Sequence, residues 1–235
     1  MRVSVIIPVL NERVNLPQTV ESVRLGLSGA EIIAVDGGST DGSREWLSQQ
    51  PGVRLIDSAR GKGPQQNTGA RTAAGDVLLF LHADCQLPAD AHSQLERVLS
   101  DPNVAGGGFF VRFEERRPFS LHVLSFLMNW RLRILRRCFG DQALFVRRET
   151  FERIGGFPDW PLFEDYELVC RMKRRGRFAV VTSPLTISAR RFLEKGVWRT
   201  VLLVLILQAG FHLGISPARL KRWFVDIRPH LQQAA

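Results

Sequence analysis

The sequence predicts an α/β protein: a Rossmann-like mixed sheet with flanking helices, to which the C-terminal half adds further helices. Three observations lead there. Short aliphatic and β-branched runs recur through residues 1–100, helical patterns separate them, and no repeat or low-complexity linker divides the 235 residues. With 45% apolar and 23% charged residues the composition is that of a globular domain, which excludes disordered and fibrous classes.

Taken in order, SVIIPVL (4–10), EIIAVD (31–36), VRLID (53–57) and DVLLFLHAD (76–84) read as strands buried on both faces. Between them, helices are expected over 15–28, where Pro17 falls in the first turn, and over 41–49, 64–74 and 89–100. Beyond Pro102, strands are expected at 105–113, 143–148 and 177–182, and helices at 119–139, 165–176, 197–213 and 217–226. The opening MRVSVIIPVL is broken by Pro8 and lacks a small-residue cleavage site, so it reads as a first strand and the mature chain is expected to begin at Met1. Cys85, Cys138 and Cys170 are widely spaced and odd in number, which predicts free thiols, a reducing compartment and no structural zinc.

The net charge of +9 is unevenly spread: residues 1–105 hold nine Lys/Arg and twelve Asp/Glu, residues 106–235 twenty-three and eleven. A basic half of this size attracts phosphate in nucleotides, nucleic acid or lipid headgroups, or serves solubility alone. No recognisable RNA-binding motif interleaves aromatic with basic residues, which argues against nucleic acid.

In a doubly wound sheet ligands bind beyond the carboxyl ends of the strands, so the residues after each strand carry the chemistry. Asn11-Glu12 follows the first strand, and Asp36 closes the second ahead of GGSTDGS (37–43). A carboxylate there suits a nucleoside, or the turn is merely tight, with Ser39 or Asp41 capping a helix. Neither GxGxxG nor GxxxxGK[ST] is present, which weighs against NAD and ATP hydrolysis. Arg60, Lys62 and Arg71 surround a glycine-rich helix start that suits a pyrophosphate or is plain surface basicity. His82-Ala83-Asp84 ends the fourth strand; positions i and i+2 of an extended segment face one way, so His82 and Asp84 can address one cation, or Asp84 caps the next helix. Glu164-Asp165 opens a helix, where acids also satisfy the dipole.

SVIIPVLNE (4–12), AVDGGSTDGS (34–43), QNTGAR (66–71), LLFLHADCQLP (78–88), GDQALFVRR (140–148) and GGFPDWPLFEDYELVCRMKRRG (155–176) resemble, in order, the motifs of family 2 glycosyltransferases of the GT-A fold. The resemblance implies an inverting transfer of a sugar from a nucleotide diphosphate donor, with UDP the usual base, to a hydroxyl acceptor, aided by Mn2+ or Mg2+. It implies a nucleotide site of Pro8, Asn11, Glu12, Asp36, Gly38, Lys62, Arg71, Ala83 and Asp84. Asp165 would be the general base with Glu164 beside it, Asp84 and His82 would hold the metal, and Asp141, Gln142 and Trp160 would meet the acceptor. Two departures stand out: Asp36-Gly37 where the family commonly has two acids, and His82-Ala83-Asp84 in place of DxD. The chemistry makes the same demand, a carboxylate set apart from the phosphate charges to deprotonate an acceptor opposite the leaving group. The rival reading is a non-catalytic GT-A relic that binds nucleotide or membrane.

The expected division is a catalytic domain over 1–195 and a helical extension over 196–235, packed on it or at the membrane surface. Ser188-Ala189-Arg190-Arg191-Phe192 partly matches a motif of processive relatives, and either arginine could cover the diphosphate or form a surface ion pair. VLLVLILQAGFHLGI (201–215) is too short to span a bilayer. Helix 119–139 mixes Leu, Phe, Met and Trp130 with Arg131, Arg133, Arg136 and Arg137, which suits a headgroup interface, packing on the sheet, or a homodimer contact. A cytoplasmic protein, peripheral on the inner face of the cell membrane, is the expectation that follows.

Overall fold

The computed structural model describes residues 1–114 and 118–225. The first half alternates as the apolar runs dictate: β1 (Val3–Val9), α1 (Leu16–Gly26), β2 (Glu31–Asp36), α2 (Ser43–Ser48), β3 (Val53–Asp57), α3 (Lys62–Thr72), β4 (Val77–Phe80), β5 (Cys85–Gln86) and α4 (Ala91–Leu99). The second half adds β6 (Val104–Phe113), α5 (Phe119–Leu135), a 3-10 turn at Gly140–Gln142, β7 (Leu144–Arg147), α6 (Arg148–Arg153), α7 (Glu164–Lys173) and β8 (Arg177–Ile187). Helices α8 (Arg190–Lys195), α9 (Val197–His212) and α10 (Pro217–Val225) follow. Of the expected C-terminal extension, residues 226–235 lie outside the described residues.

The described strands form one sheet in the order β3-β2-β1-β4-β7-β6-β8-β5. Strands β1 to β4 are mutually parallel where paired, whereas β7 runs antiparallel to both β4 and β6. Chain order reverses beside β1, which makes the carboxyl ends of β1 and β4 the topological switch point.

Alternation along β1 divides the core. Val5, Ile7 and Val9 join the cluster that includes α1 and α4, while Ile6 joins the one that includes Phe80, Leu168 and Met172. Gly69 is what lets α3 lie close on the sheet, since a Cβ there would stand 2.4 Å from Cγ2 of Ile6.

Three expectations change. The strand expected over 76–84 stops at Phe80, because a turn begins where Cys85 N donates to His82 O at 3.1 Å. The strand expected at 177–182 runs on to Ile187, since its second half pairs with both β6 and β5. Helix 119–139 ends at Leu135, where Arg136 takes a left-handed φ of 52°. Among the described residues, no helix is long and apolar enough to cross a membrane.

Candidate active site

Strand pairing decides which loops meet. Val9 is opposite Asp36, so the loop after β1 lies against the turn after β2. Because β7 is antiparallel to β4, with Phe80 opposite Leu144, the turn Gly140–Gln142 arrives where β4 ends. Strand β8 ends with Ile187 opposite Cys85, and Ser188 N donates to Asp84 O at 3.2 Å.

On the β2 side, Asp36 is 2% exposed. Its Oδ2 accepts from the backbone N–H of Gly38 and Ser39, both at 3.0 Å. Its Oδ1 is buried with no hydrogen-bond partner among the described residues. Gly38 makes the turn at φ 91°. Asn11 takes a left-handed φ of 55° and locks this loop to β1, its N–H donating to Ser39 Oγ at 3.0 Å and its Oδ1 accepting from Thr40 N at 2.8 Å. Pro8, the penultimate residue of β1, stands opposite Val35. Glu12 pairs with Arg190 at 3.4 Å, which ties the segment after β8 over the mouth of the site.

At the switch point, donor atoms of His82, Asp84 and Cys85 lie within 4.8 Å of one another. His82 and Asp84 do converge, but through the tight turn after β4 and not through extended alternation. Ala83 between them faces the core, with its carbonyl accepting from Thr19 Oγ1 at 2.8 Å. Burial, with the Asp84 and Asp141 charges adding to it, pushes the Cys85 thiol well above its usual range. An imidazole beside a carboxylate is better tolerated by Mn2+ than by Mg2+, which prefers oxygen alone, while a thiol kept protonated by burial is a poor ligand.

Helix α3 joins the two sides. Gln65 Nε2 donates to the carbonyls of Val9 and Val35, each at 2.8 Å. Asn67 exchanges two hydrogen bonds with the backbone of Phe157, at 2.8 and 2.9 Å. The helix start is therefore pinned between the ends of β1 and β2 and the loop leading to α7. From there the Lys62 ammonium lowers the pKa of both Cys85 and Asp165.

Asp165 stands one residue into α7, after Phe163 at a left-handed φ of 65°. Its Oδ2 accepts from Gly140 N, and its Oδ1 from Tyr166 N at 2.7 Å. Desolvation, and then the adjacent Glu164 carboxylate, push its pKa from 3.8 up to about 7. Glu164 itself is 7% exposed. Gly140 is the hinge of the arrangement: a Cβ there would lie 2.6 Å from His82 Nε2 and 3.3 Å from Asp165 Oδ2, so imidazole and carboxyl crowd one point.

The structure thus gathers His82, Asp84, Asp141, Glu164, Asp165 and Lys62, with Asp36 and the loop after β1 on the neighbouring strands. Two expected contacts do not fit. Arg71 is nine residues beyond Lys62, about 14 Å along the helix axis, and lines a separate groove of about 360 Å³ with Ser58, Asn67 and Thr68. Gln142 is fully buried, and its Oε1 accepts from Phe139 N and Arg131 Nη2 at 3.4 Å each, so it braces the turn from within and does not face an acceptor. Trp160 packs edge-on to Phe211 of α9 at 6.0 Å, and Phe163 tilts over the same ring at 4.8 Å, so these aromatics hold α9 to the loop. Of the two arginines after β8, the side chain of Arg191 lies outside the described residues.

Arg131 was not separable in sequence from its exposed neighbours Arg133 and Arg136. It turns inward, 4.4 Å from the Phe139 ring, and burial lowers its pKa against the opposing charges of Asp141 and Asp165. The one available signal was helical phase, since Arg131 lies on the flank of the Leu124-Met128-Leu132 stripe.

The family model for glycosyl transferase family 2 matches residues 4–156. The glycosyltransferase AglE of Haloferax volcanii is 30% identical over 174 residues, covering 67% of this chain and 56% of that protein. A dolichol-phosphate mannosyltransferase of Pyrococcus furiosus is 34% identical over 122 residues, covering 48% of this chain and 34% of that one. The chain therefore spans between a third and just over half the length of these relatives. Among solved structures, S. aureus TarS in complex with UDP superposes with a TM-score of 0.65 at 16% identity, over 80% of this chain and 60% of that one. The mannosyltransferase PcManGT of Pyrobaculum calidifontis, in complex with GDP-Man and Mn2+, gives a TM-score of 0.59 at 26% identity, over 80% and 56%. The GT-A-type mixed sheet is common to this chain and these two solved structures.

Proposed function

The chain belongs to glycosyl transferase family 2, and from that membership we propose that it is an inverting hexosyltransferase moving a sugar from a nucleotide diphosphate donor to an acceptor hydroxyl. The observation that carries the reading is Asp165, a carboxyl raised to about 7 and held by Gly140 against the His82 side of the switch point. A base with a pKa near neutrality is half in its working form at cellular pH and strong enough to take a hydroxyl proton. In the transfer, Asp165 accepts the acceptor proton as the acceptor oxygen bonds to the anomeric carbon. The bond from that carbon to the diphosphate breaks on the opposite face, inverting the centre. Glu164 keeps the Asp165 pKa high.

The donor lies across the ends of β1, β2 and β4. Asp36 Oδ2 is occupied by the turn, which leaves Oδ1 for one base N–H. That suits uracil, with a single imide donor, better than guanine, with an N–H and an amine on one edge. TarS carries UDP and PcManGT GDP-Man, so both bases occur among structural neighbours. The start of α3 with Lys62 supplies backbone N–H groups, dipole and cation to the diphosphate, and Arg190 can close over it. His82 and Asp84 would hold Mn2+ or Mg2+, the imidazole favouring Mn2+, and such an ion would offset the charge of the departing diphosphate. Asp141 and Trp160 border the acceptor side. Three free cysteines suit a cytoplasmic setting.

The test is thermal. UDP is expected to raise the melting temperature more with Mn2+ than with chelator, and Asp84→Asn to erase that difference. A Mn2+ increment that survives Asp84→Asn removes the metal assignment; no response to any nucleotide diphosphate favours the non-catalytic relic.

A further inference from the structure

Helix α5 carries two apolar faces where a surface helix has one. Leu121, Leu124, Met128 and Leu132 are buried toward the sheet. Phe119, Phe126, Trp130 and Ile134 stand about half a turn away, at roughly 100° per residue, and are 81%, 67%, 52% and 57% exposed. Helix α9 repeats the pattern. Its Thr200, Leu207 and Gly210 are buried, while Trp198, Leu202 and Leu205 are more than half exposed. Large exposed apolar faces of this kind mark a binding surface.

Charge indicates the occupant. Neither 119–139 nor 196–225 contains an Asp or Glu, and Arg133, Arg136, Arg199, Arg219 and Arg222 are exposed among the apolar side chains. A two-fold contact with a second copy would set this acid-free, arginine-bearing surface against itself, a like-charge juxtaposition that opposes association. Anionic headgroups over an acyl layer complement both features at once, the rings entering the interface while the guanidinium groups remain at headgroup level.

Rings from α9 and from the segment after α5 also meet on the neighbour of the proposed base. Phe139, just past α5, stacks on Tyr166 at 6.1 Å, and Phe211 of α9 meets the same ring at 5.8 Å. Tyr166 directly follows Asp165.

We propose that the outer faces of α5 and α9 form one docking surface for an anionic lipid bilayer, and that the acceptor reaches Asp165 from that bilayer as a lipid-linked hydroxyl compound. Docking stands on the surface itself; delivery of an acceptor rests on the glycosyltransferase reading. The first orients the molecule and the second explains why two greasy helices flank the base.

The experiment is sedimentation of the full chain with vesicles of phosphatidylcholine alone and of phosphatidylcholine with phosphatidylglycerol. Binding to the anionic vesicles is expected to exceed binding to the neutral ones by about tenfold or more and to weaken in high salt. The double variants Phe126→Ser with Trp130→Ser, and Arg133→Glu with Arg136→Glu, are each expected to lose most of it with unchanged melting temperatures, since these side chains are exposed. Equal or absent binding to the two vesicle types overturns the proposal. So does a dimer in light scattering that the Phe126→Ser with Trp130→Ser variant splits. The nucleotide-induced melting shift is read in the same samples: vesicle binding without that shift sinks the glycosyltransferase reading and leaves docking standing, and the reverse result sinks docking alone.

Discussion

Replacing Asp165 by Asn separates catalysis from stability with opposite signs. The carboxyl moves from 3.8 to about 7 on folding, because desolvation and Glu164 oppose its ionisation. A group whose native pKa is raised in this way leaves the native state binding more protons, so stability is lost as pH climbs from about 4 to about 7 and is level above. At 1.36 kcal/mol per pH unit the raised pKa costs about 4 kcal/mol at pH 8, where the folded carboxyl is ionised, and about 2 kcal/mol at pH 5, where folding protonates it, ceilings that the pair shares. Asn removes that cost but keeps only one of the hydrogen bonds from Gly140 and Tyr166, a loss of about 1–2 kcal/mol. Asp165→Asn is therefore expected to be about 2 kcal/mol more stable than the parent at pH 8, and nearly equal at pH 5, while transfer falls by a factor of a thousand or more. Denaturant titrations of both proteins at the two pH values supply the difference, in which all other carboxylates cancel, and isothermal titration with UDP and Mn2+ checks that donor affinity is retained. A stability difference independent of pH, or a variant less stable at pH 8, would refute the raised pKa and with it the base. Loss of donor affinity in step with turnover would make Asp165 structural.

The remaining expectations concern the neighbours of that carboxyl. In Gly140→Ala the new methyl falls 2.6 Å from His82 Nε2, so the ring or the turn must shift; about 1–3 kcal/mol of stability and most of the turnover should go, and unaltered values for both would show that the crowding is not real. Arg190→Ala breaks the 3.4 Å pair with Glu12, yet this exposed pair should contribute less than about 0.5 kcal/mol to stability, whereas UDP affinity measured by calorimetry should fall several-fold. Unchanged affinity would remove Arg190 from the diphosphate.

Legibility in the sequence followed how local the cause was. Strands β1, β2 and β4 were readable because residues buried on both faces must be apolar without interruption, β3 is a half-exposed edge strand with charges at Arg54 and Asp57, and the site loops followed since ligands gather at carboxyl ends in such sheets. Asp36 and Asp84 stand out for the same reason, at strand ends, whereas Asp165 is singled out by the family resemblance, since an acid in a first helical turn otherwise only meets the dipole. His82 and Asp84 were paired for the wrong cause, since strand alternation was assumed to reach Asp84 where the chain had already turned. Arg71, close to Lys62 in sequence, stands at the opposite end of α3, because nine helical residues carry the two about 14 Å apart along the axis. Gln142 shows that a loop residue can point inward as readily as outward, which no local pattern reveals.

What composition and pattern determined by themselves was the class of fold, the free cysteines, the basic half and the strand ends where the site loops lie. These depend on side-chain chemistry and on periodicities of two and 3.6 residues, which are complete within a dozen positions. Only the tertiary structure decided that antiparallel β7 would carry Gly140 between His82 and Asp165, that Arg131 would turn inward and be half-buried beside its exposed neighbours, and that α5 would keep an apolar outer face. Each of those depends on contacts between segments remote in the chain, where strand direction and packing choose among partners that no local pattern distinguishes.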